Sequence, residues 1–271
     1  MAGKKGIVNY YAEVKPRRCD MIAAWPGVGN VSLILTQYLR DHLGAEQFAD
    51  IEPAAFFNAS GILVRNNVVE EPQFPGSRFY FWQNPEKRGK DIIFFVGDEQ
   101  PAARSYELAN VVVDVAKKYR VRRIFTMAAA LVKIHHSETP KVWAAATEER
   151  LLKEVTKFDV VLRGTVQIAG LNGILQGVAK ERGIPGVCLL GETPMYATRI
   201  PNPKAALSVA RILIDMLGVT VDLAELTEMA QKSEQEMARI TGEAMTEFID
   251  HFTTPLWESG ESGEQESGGE E

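Results

Sequence analysis

A chain of 271 residues with 45% hydrophobic and 24% charged residues has the balance of a globular protein, and it is long enough to bury a core without disulfide or metal staples. Its formal charge of −6 resides in one stretch: Glu258 to Glu271 carries six Glu and no Lys or Arg, which leaves 30 acidic and 30 basic residues elsewhere and excludes the clustered basic surface of a nucleic-acid binder. No apolar run approaches the ~20 residues that span a bilayer, Met1 to Gly6 lacks the apolar stretch of a signal peptide, and the only cysteines, Cys19 and Cys188, sit in apolar runs that suit buried, reduced thiols, so the expected setting is cytoplasmic, away from membranes.

An N-terminal segment, 1–18, precedes the first continuous apolar run, Cys19 to Trp25, which predicts a buried strand. Pro26-Gly27-Val28-Gly29-Asn30 breaks it, and apolar residues at Val31, Ile34, Leu35, Tyr38, Leu39 and Leu43 then follow helical spacing. A β-rich stretch comes next: Ala54–Phe57, Gly61–Val69 and Arg78–Gln83, separated by turn signals, with hairpin pairing expected. Alternation of strand and helix resumes with a strand over Asp91–Gly97, a helix over Arg104–Tyr119 and a strand over Arg122–Met127. Val142–Ala146 reads as extended, Glu148–Phe158 as a short helix, and Val160–Leu162 and Val166–Ile168 as short extended pieces. A helix over Leu171–Arg182, a strand over Val187–Leu190 and a helix opened by Asn202-Pro203 complete the α/β core, 19–221. Continuous apolar strands, each followed by a helix, predict a mixed, mostly parallel sheet flanked by helices.

Residues 222–252 differ. Leu223, Leu226, Ala230, Ser233, Met237, Ile240, Ala244 and Phe248 follow at steps of three or four, which predicts one long amphipathic helix with Asp222 as its N-cap. Its stripe packs either on the rest of the chain or on another subunit, and Leu226, Met237, Ile240 and Phe248 are the candidate interface residues. The Gly, Ser and Glu of 253–271 are too polar to offset ordering entropy and predict a disordered acidic tail.

In open α/β sheets, ligands meet the loops at the carboxyl ends of strands. Three such loops, Pro26–Asn30, Gly97–Pro101 and Gly191–Pro194, converge if their strands are parallel, and Gly170-Leu171-Asn172-Gly173 joins them at a helix start. The candidate ligand contacts are Gly27, Gly29, Asn30, Asp98, Gln100, Asn172, Glu192 and Thr193. Gly27 and Gly29 before a helix suit either an anion cradle or a tight turn. The loop lacks both the third glycine of a dinucleotide fingerprint and the Gly-Lys-Ser/Thr of a P-loop. Asp98 with Glu192 suits acid–base work or a cation, and the alternative is that Asp98 or Gln100 caps the helix that follows. Asn172 either binds a substrate or caps its helix. Adjacent His135 and His136 point apart in an extended chain and read as a polar loop rather than a metal site. No catalytic residue, metal or cofactor is assigned.

In order along the chain, Ala24-Trp25-Pro26-Gly27-Val28-Gly29-Asn30-Val31, Phe95-Val96-Gly97-Asp98-Glu99-Gln100-Pro101, Gly170-Leu171-Asn172-Gly173, Gly186-Val187-Cys188-Leu189-Leu190-Gly191-Glu192-Thr193-Pro194 and Asn202-Pro203-Lys204-Ala205-Ala206 resemble the proteasome assembly chaperone family, its prokaryotic branch above all. The resemblance implies a nucleoside-phosphorylase-like α/β fold and self-association into homo-oligomers. It also implies a non-catalytic assembly or scaffold role, with the chain itself and another protein complex as partners. The alternative is a protein or enzyme that takes a nucleoside, phosphate or nucleotide in the strand-end cleft. Some archaeal members of that family end in a hydrophobic-Tyr-x motif that docks on proteasome rings; Gly269-Glu270-Glu271 departs from it, so docking by that route is not expected.

Overall fold

The computed structural model describes residues 6–253 apart from 60, 87, 163 and 166, with only the backbone of 244–253. In chain order the elements are β1 (Val8–Tyr10), β2 (Cys19–Ala24), α1 (Val31–Leu43), β3 (Glu46–Ile51), β4 (Val64–Arg65), β5 (Val68–Val69), β6 (Ser77–Trp82), β7 (Asp91–Gly97) and α2 (Ser105–Lys118). Then come β8 (Ile124–Val132), β9 (Val142–Ala146), α3 (Glu149–Val155), β10 (Val160–Val161), α4 (Leu171–Glu181), β11 (Gly186–Pro194), α5 (Pro203–Leu217) and α6 (Ala224–Thr253). Nine strands form one sheet in the order β1-β3-β6-β7-β2-β8-β11-β9-β10, while β4 and β5 pair only with each other.

The four central strands β7, β2, β8 and β11 run parallel. They are the most buried, as expected of strands covered on both faces. All six residues of β2 and all seven of β7 are buried. Alternation divides their side chains: Met21, Ala23, Ile93 and Phe95 face α2 and α4, whereas Ile22, Ile92 and Phe94 face α1, α5 and α6. Antiparallel strands flank this centre, with β6, β3 and β1 on one side and β9 on the other. The mixed α/β sheet with helices on both faces is the predicted one.

Local differences fall where strands are short or polar. Ala54–Phe57 reads as extended, yet Pro53–Ala55 forms a 3-10 turn, and the strand lies just before it at Glu46–Ile51. Glu46 and Gln47 at its exposed start hide it from a search for apolar runs. β1, within 1–18, is missed for its brevity. α6 opens as expected, with Ala224 N–H donating to Asp222 Oδ1 at 2.9 Å. The side chain of Phe248 and the acidic tail beyond Thr253 lie outside the described residues.

Both thiols are buried. Burial pushes the Cys188 thiol up to about 11 and raises that of Cys19, with Asp20 adding to it. An unfolded thiol ionises near its ordinary value of 9.0, so the folded state keeps protons that the unfolded state gives up. The stability these thiols contribute is full below about pH 9 and is lost as pH rises through about 11. Denaturant midpoints measured from pH 8 to 11 will fall more steeply for the native chain than for a Cys19→Ala, Cys188→Ala variant, and a thiol reagent will label the native chain only after unfolding.

Candidate functional site

Parallel β2, β7, β8 and β11 bring their carboxyl ends to one edge, as the strand-end reading requires. There the chain leaves β2 through Trp25 and Pro26, with Gly27 extended (φ −161°) and Gly29 and Asn30 left-handed (φ 62° and 49°) before α1 begins. Gly29 is thus required by its backbone; Gly27 is not.

Asn172 is 3% exposed at the first turn of α4. Its Oδ1 accepts from Trp25 N–H at 3.3 Å and from Ser32 Oγ at 3.4 Å, and its Nδ2 donates to Trp25 O at 3.4 Å. It therefore ties α4 to both the end of β2 and the start of α1. Gln100 works beside it: Nε2 donates to Pro26 O at 2.6 Å, and Oε1 accepts from Leu171 N–H at 2.9 Å. The side-chain amide supplies the partner that the free N–H at the helix start needs. Asn202 caps α5 through Ala205 N–H at 3.0 Å and donates to Thr193 Oγ1 at 3.3 Å. Its own N–H reaches Gly29 O at 2.8 Å. Five segments that are distant in sequence are thus joined by amide and hydroxyl groups. Replacing Asn172 with Leu removes three contacts at once and leaves buried backbone groups unpaired. Thermal denaturation should register a loss of about 1–3 kcal/mol.

Asp98 and Glu192 are not brought together. Asp98 accepts from Gly76 N–H at 2.8 Å and pairs with Arg78 at 2.8 Å, beside β6. Glu192 accepts from Lys141 N–H and from Trp143 Nε1, both at 3.0 Å, beside β9. Their strands, β7 and β11, are separated by β2 and β8, a lateral distance of roughly 14 Å at the usual strand spacing. That is too far for a carboxylate pair acting on one bond.

His135 and His136 do not point apart as in an extended chain: in the loop after β8 their rings lie 3.9 Å apart with planes tilted by 36°, against Ser137 and Tyr196 respectively. Burial, and then His135 beside it, holds the His136 imidazole below its usual range. Among the described residues no group of three His, Cys, Asp or Glu side chains is placed to hold a metal, and no helix is long and apolar enough to cross a membrane.

Between these ties lies a cleft of about 360 Å³. Gly27, Val28, Ser32, Gln100 and Asn172 form one wall, Ala128 and Ala130 of β8 the floor, and Ile168 and Leu190 the far side. The alanine floor was not singled out from the sequence, although three consecutive small residues ending a buried strand are the signal that a hollow leaves. Of the proposed interface residues, Leu226 and Met237 are buried within this chain on the inner face of α6, and Ile240 is half-buried.

The uncharacterised protein MJ1210 of Methanocaldococcus jannaschii is 27% identical over 241 residues, which cover 87% of this chain and 88% of that protein. The crystal structure of Pyrococcus furiosus PbaB, an archaeal proteasome activator, superposes with a TM-score of 0.75 at 27% identity, covering 86% of this chain and 98% of that one. P. furiosus PbaA, an archaeal homolog of proteasome-assembly chaperone, gives 0.66 at 25% identity, covering 86% and 96%. The PAC2 family model matches residues 21–241. That match takes in every motif on which the resemblance to proteasome assembly chaperones rested, and the chain belongs to the PAC2 family.

Proposed function

We propose that this protein is a non-catalytic, homo-oligomeric assembly or scaffold factor of the cytoplasm that binds other protein subunits. The observation that carries the reading is how the strand-end edge uses its polar groups. Asp98, Gln100, Asn172, Glu192 and Asn202 each hydrogen-bond other groups of this chain, tying together the loops, strand ends and helix starts of this edge. Side chains committed in this way rigidify a surface rather than await a substrate, and a rigid surface is what recognition of a folded partner needs. The names of PbaA and PbaB point to the partner class, subunits of a proteasome. The test is reconstitution: proteasome subunits of the same host are mixed with and without the protein, and ring formation is followed by native electrophoresis and light scattering. Co-elution or faster ring formation is the expected result; neither one, at micromolar concentrations, overturns the proposal.

The cleft favours a second reading. Its volume, about 360 Å³, lies within the usual range for small ligands, and Ser32, Gln100 and Asn172 line it. A thermal-shift screen of nucleosides, inorganic phosphate and nucleotides tests it. A saturable rise in melting temperature, abolished by Ala128→Phe, would support this reading over the first.

A further inference from the structure

We infer that the acidic segment 256–271 of one chain seats on a basic, tyrosine-lined surface at the amino edge of the sheet of a second copy. This rests on the homo-oligomeric reading above and assigns it a contact.

Two stretches far apart in sequence make the surface. Lys15-Pro16-Arg17-Arg18 and Lys117-Lys118-Tyr119-Arg120-Val121-Arg122-Arg123 hold eight cations and no carboxylate. The fold lays them side by side: Arg122 N–H donates to Cys19 O at 2.8 Å, and Pro16 and Arg120 line one open hollow of about 730 Å³. Three of the eight are answered within the chain, Lys15 by Glu13, Arg17 by Asp91, and Arg123 by Asp20 and Glu154. Arg18, Lys117, Lys118, Arg120 and Arg122 are exposed, and among the described residues no carboxylate pairs with any of them. The acids of the adjoining strand are Glu46, Asp50 and Glu52, on the β3 side of Tyr11, whose hydroxyl donates to Asp50. The surface is therefore net positive, a concentration that the even balance of charge along the chain conceals. Lys117 and Lys118 also suit the C-terminal end of α2, but Arg18, Arg120 and Arg122 lie in no helix.

Arg120 carries a second mark. Four helices end with the same pair of backward hydrogen bonds: Gly44 and Ala45 after α1, Gly183 and Ile184 after α4, Gly218 and Val219 after α5, and Arg120 and Val121 after α2. The first residue of each pair is left-handed, with φ of 69°, 73°, 70° and 54°. Glycine takes that backbone freely; arginine is strained in it. Strain of this kind persists where the side chain has a task. Tyr10 and Tyr11 beside it are 41% and 62% exposed, and Lys118 Nζ lies 3.2 Å from the centre of the Tyr10 ring. The hollow thus offers aromatic faces ringed by cations.

The segment 256–271 has the complementary chemistry. Leu256 and Trp257 suit the tyrosines, and the six Glu that follow, with no Lys or Arg among them, suit the cations. It cannot come from the same chain. α6 starts on this same edge, where Glu225 meets His42 at 3.3 Å, and it passes the opposite edge, where Ser233 Oγ donates to Pro201 O. Its 30 residues carry the chain about 45 Å. Trp257 follows Thr253 by four residues, at most ~14 Å of extended chain. A second copy must therefore supply the segment, and a contact of tail on opposite edge joins chains head to tail, as in a ring.

The test uses the full chain. Heavy-isotope-labelled and unlabelled protein are mixed at micromolar concentration and treated with a water-soluble carbodiimide, which joins a carboxylate to a lysine amine as an amide with loss of water. Mass spectrometry should find Lys117 and Lys118 joined to Glu258–Glu271 in mixed-isotope peptides. Raising NaCl from about 0.1 M to about 1 M, which shortens the screening length from ~10 to ~3 Å, should cut their yield about fivefold or more. Trp257→Ser should cut it about threefold. Arg120→Gly should do the same while raising the melting temperature by roughly 2–4 °C. A rise in melting temperature with an unchanged yield would reduce Arg120 to a strained cap and overturn the inference. So would tail cross-links found only in single-isotope peptides, or equal yields at exposed Lys133, Lys141 and Lys232. A single-stranded oligonucleotide bound at the surface, with no tail cross-link there, overturns it as well. Light scattering separates the two claims: a mass that is a multiple of 30.0 kDa leaves the oligomeric reading standing after any of these failures, whereas a monomeric chain overturns both.

Discussion

Replacing Arg123 with Met will destabilise the fold by about 3–5 kcal/mol, because it strands a buried carboxylate. Asp20 in β2 is 1% exposed, and Arg123 Nη2 meets its Oδ2 at 2.6 Å, with Nε at 3.2 Å. The same guanidinium reaches Glu154 at 3.3 Å and Met216 O at 3.1 Å, so it also pins α3 and the end of α5. Lys90 lies 3.9 Å from Asp20 and is held below the usual lysine range by burial and then by Arg123. Removing Arg123 relieves that repulsion and lets Lys90 take over part of the pairing, which places the loss at the lower end of the range. The Asp20→Asn, Arg123→Met double variant should recover much of it, since no buried carboxylate is then stranded and half-buried Lys90 keeps its bond to Met216 O. Urea midpoints for the native chain, both single variants and the double variant decide the matter. Equal losses in the single and double variants would show that packing, not charge, is at stake. Asp20 and Arg123 sit at the amino ends of their strands, opposite the cleft.

The second large effect concerns two glycines one turn apart in α4. A Cβ on Gly173 would lie 2.1 Å from the carbonyl oxygen of Ile168, whereas one on Gly177 meets nothing within 4 Å. Alanine is favoured over glycine in a helix interior by up to about 1 kcal/mol, so Gly177→Ala should raise stability by roughly that amount. At Gly173 the same gain is overwhelmed, because backbone, not a flexible side chain, must give way. A loss of at least ~2–3 kcal/mol is expected, in the range of overpacked sites. Melting temperatures that move in opposite directions for the two variants would bear this out; a shared rise would mean that the 167–169 segment yields freely. Displacement of Ile168 also moves a wall of the cleft.

The central strands were legible because burial on both faces leaves a continuous apolar run that competes with no other pattern. Cys19 to Ala24 and Asp91 to Gly97 lie within a residue of where those runs place them. The loops were legible as a set, and their glycines and amides do meet at one edge. Their role was not legible, since a side-chain amide that caps a neighbouring helix and one that awaits a ligand have the same sequence. Only the coordinates show Gln100 reaching from Pro26 to Leu171. The distance between Asp98 and Glu192 depended on strand order, which periodicity does not encode. Gly61–Val69 was legible as one β-forming run, but the turn at Asn66-Asn67 that folds it into a hairpin was not recognised. That the hairpin stands clear of the sheet was not legible either, because exposed and buried valines read alike.

The position of β11 bears on how the chain is made. β8 ends at Val132 and β9 at Ala146, yet they are not neighbours: β11, beginning at Gly186, lies between them. During synthesis at ~5–20 residues per second, the interval between the end of β8 and the start of β11, about 50 residues, lasts on the order of 3–10 s. Throughout it the nascent chain carries an unsatisfied ladder of nine backbone positions along β8, the longest pairing in the sheet. The ribosome-bound chain thus passes through a period in which another polypeptide can occupy the slot meant for its own later strand, and pausing or chaperone capture in that interval will govern how much of the protein reaches its native form.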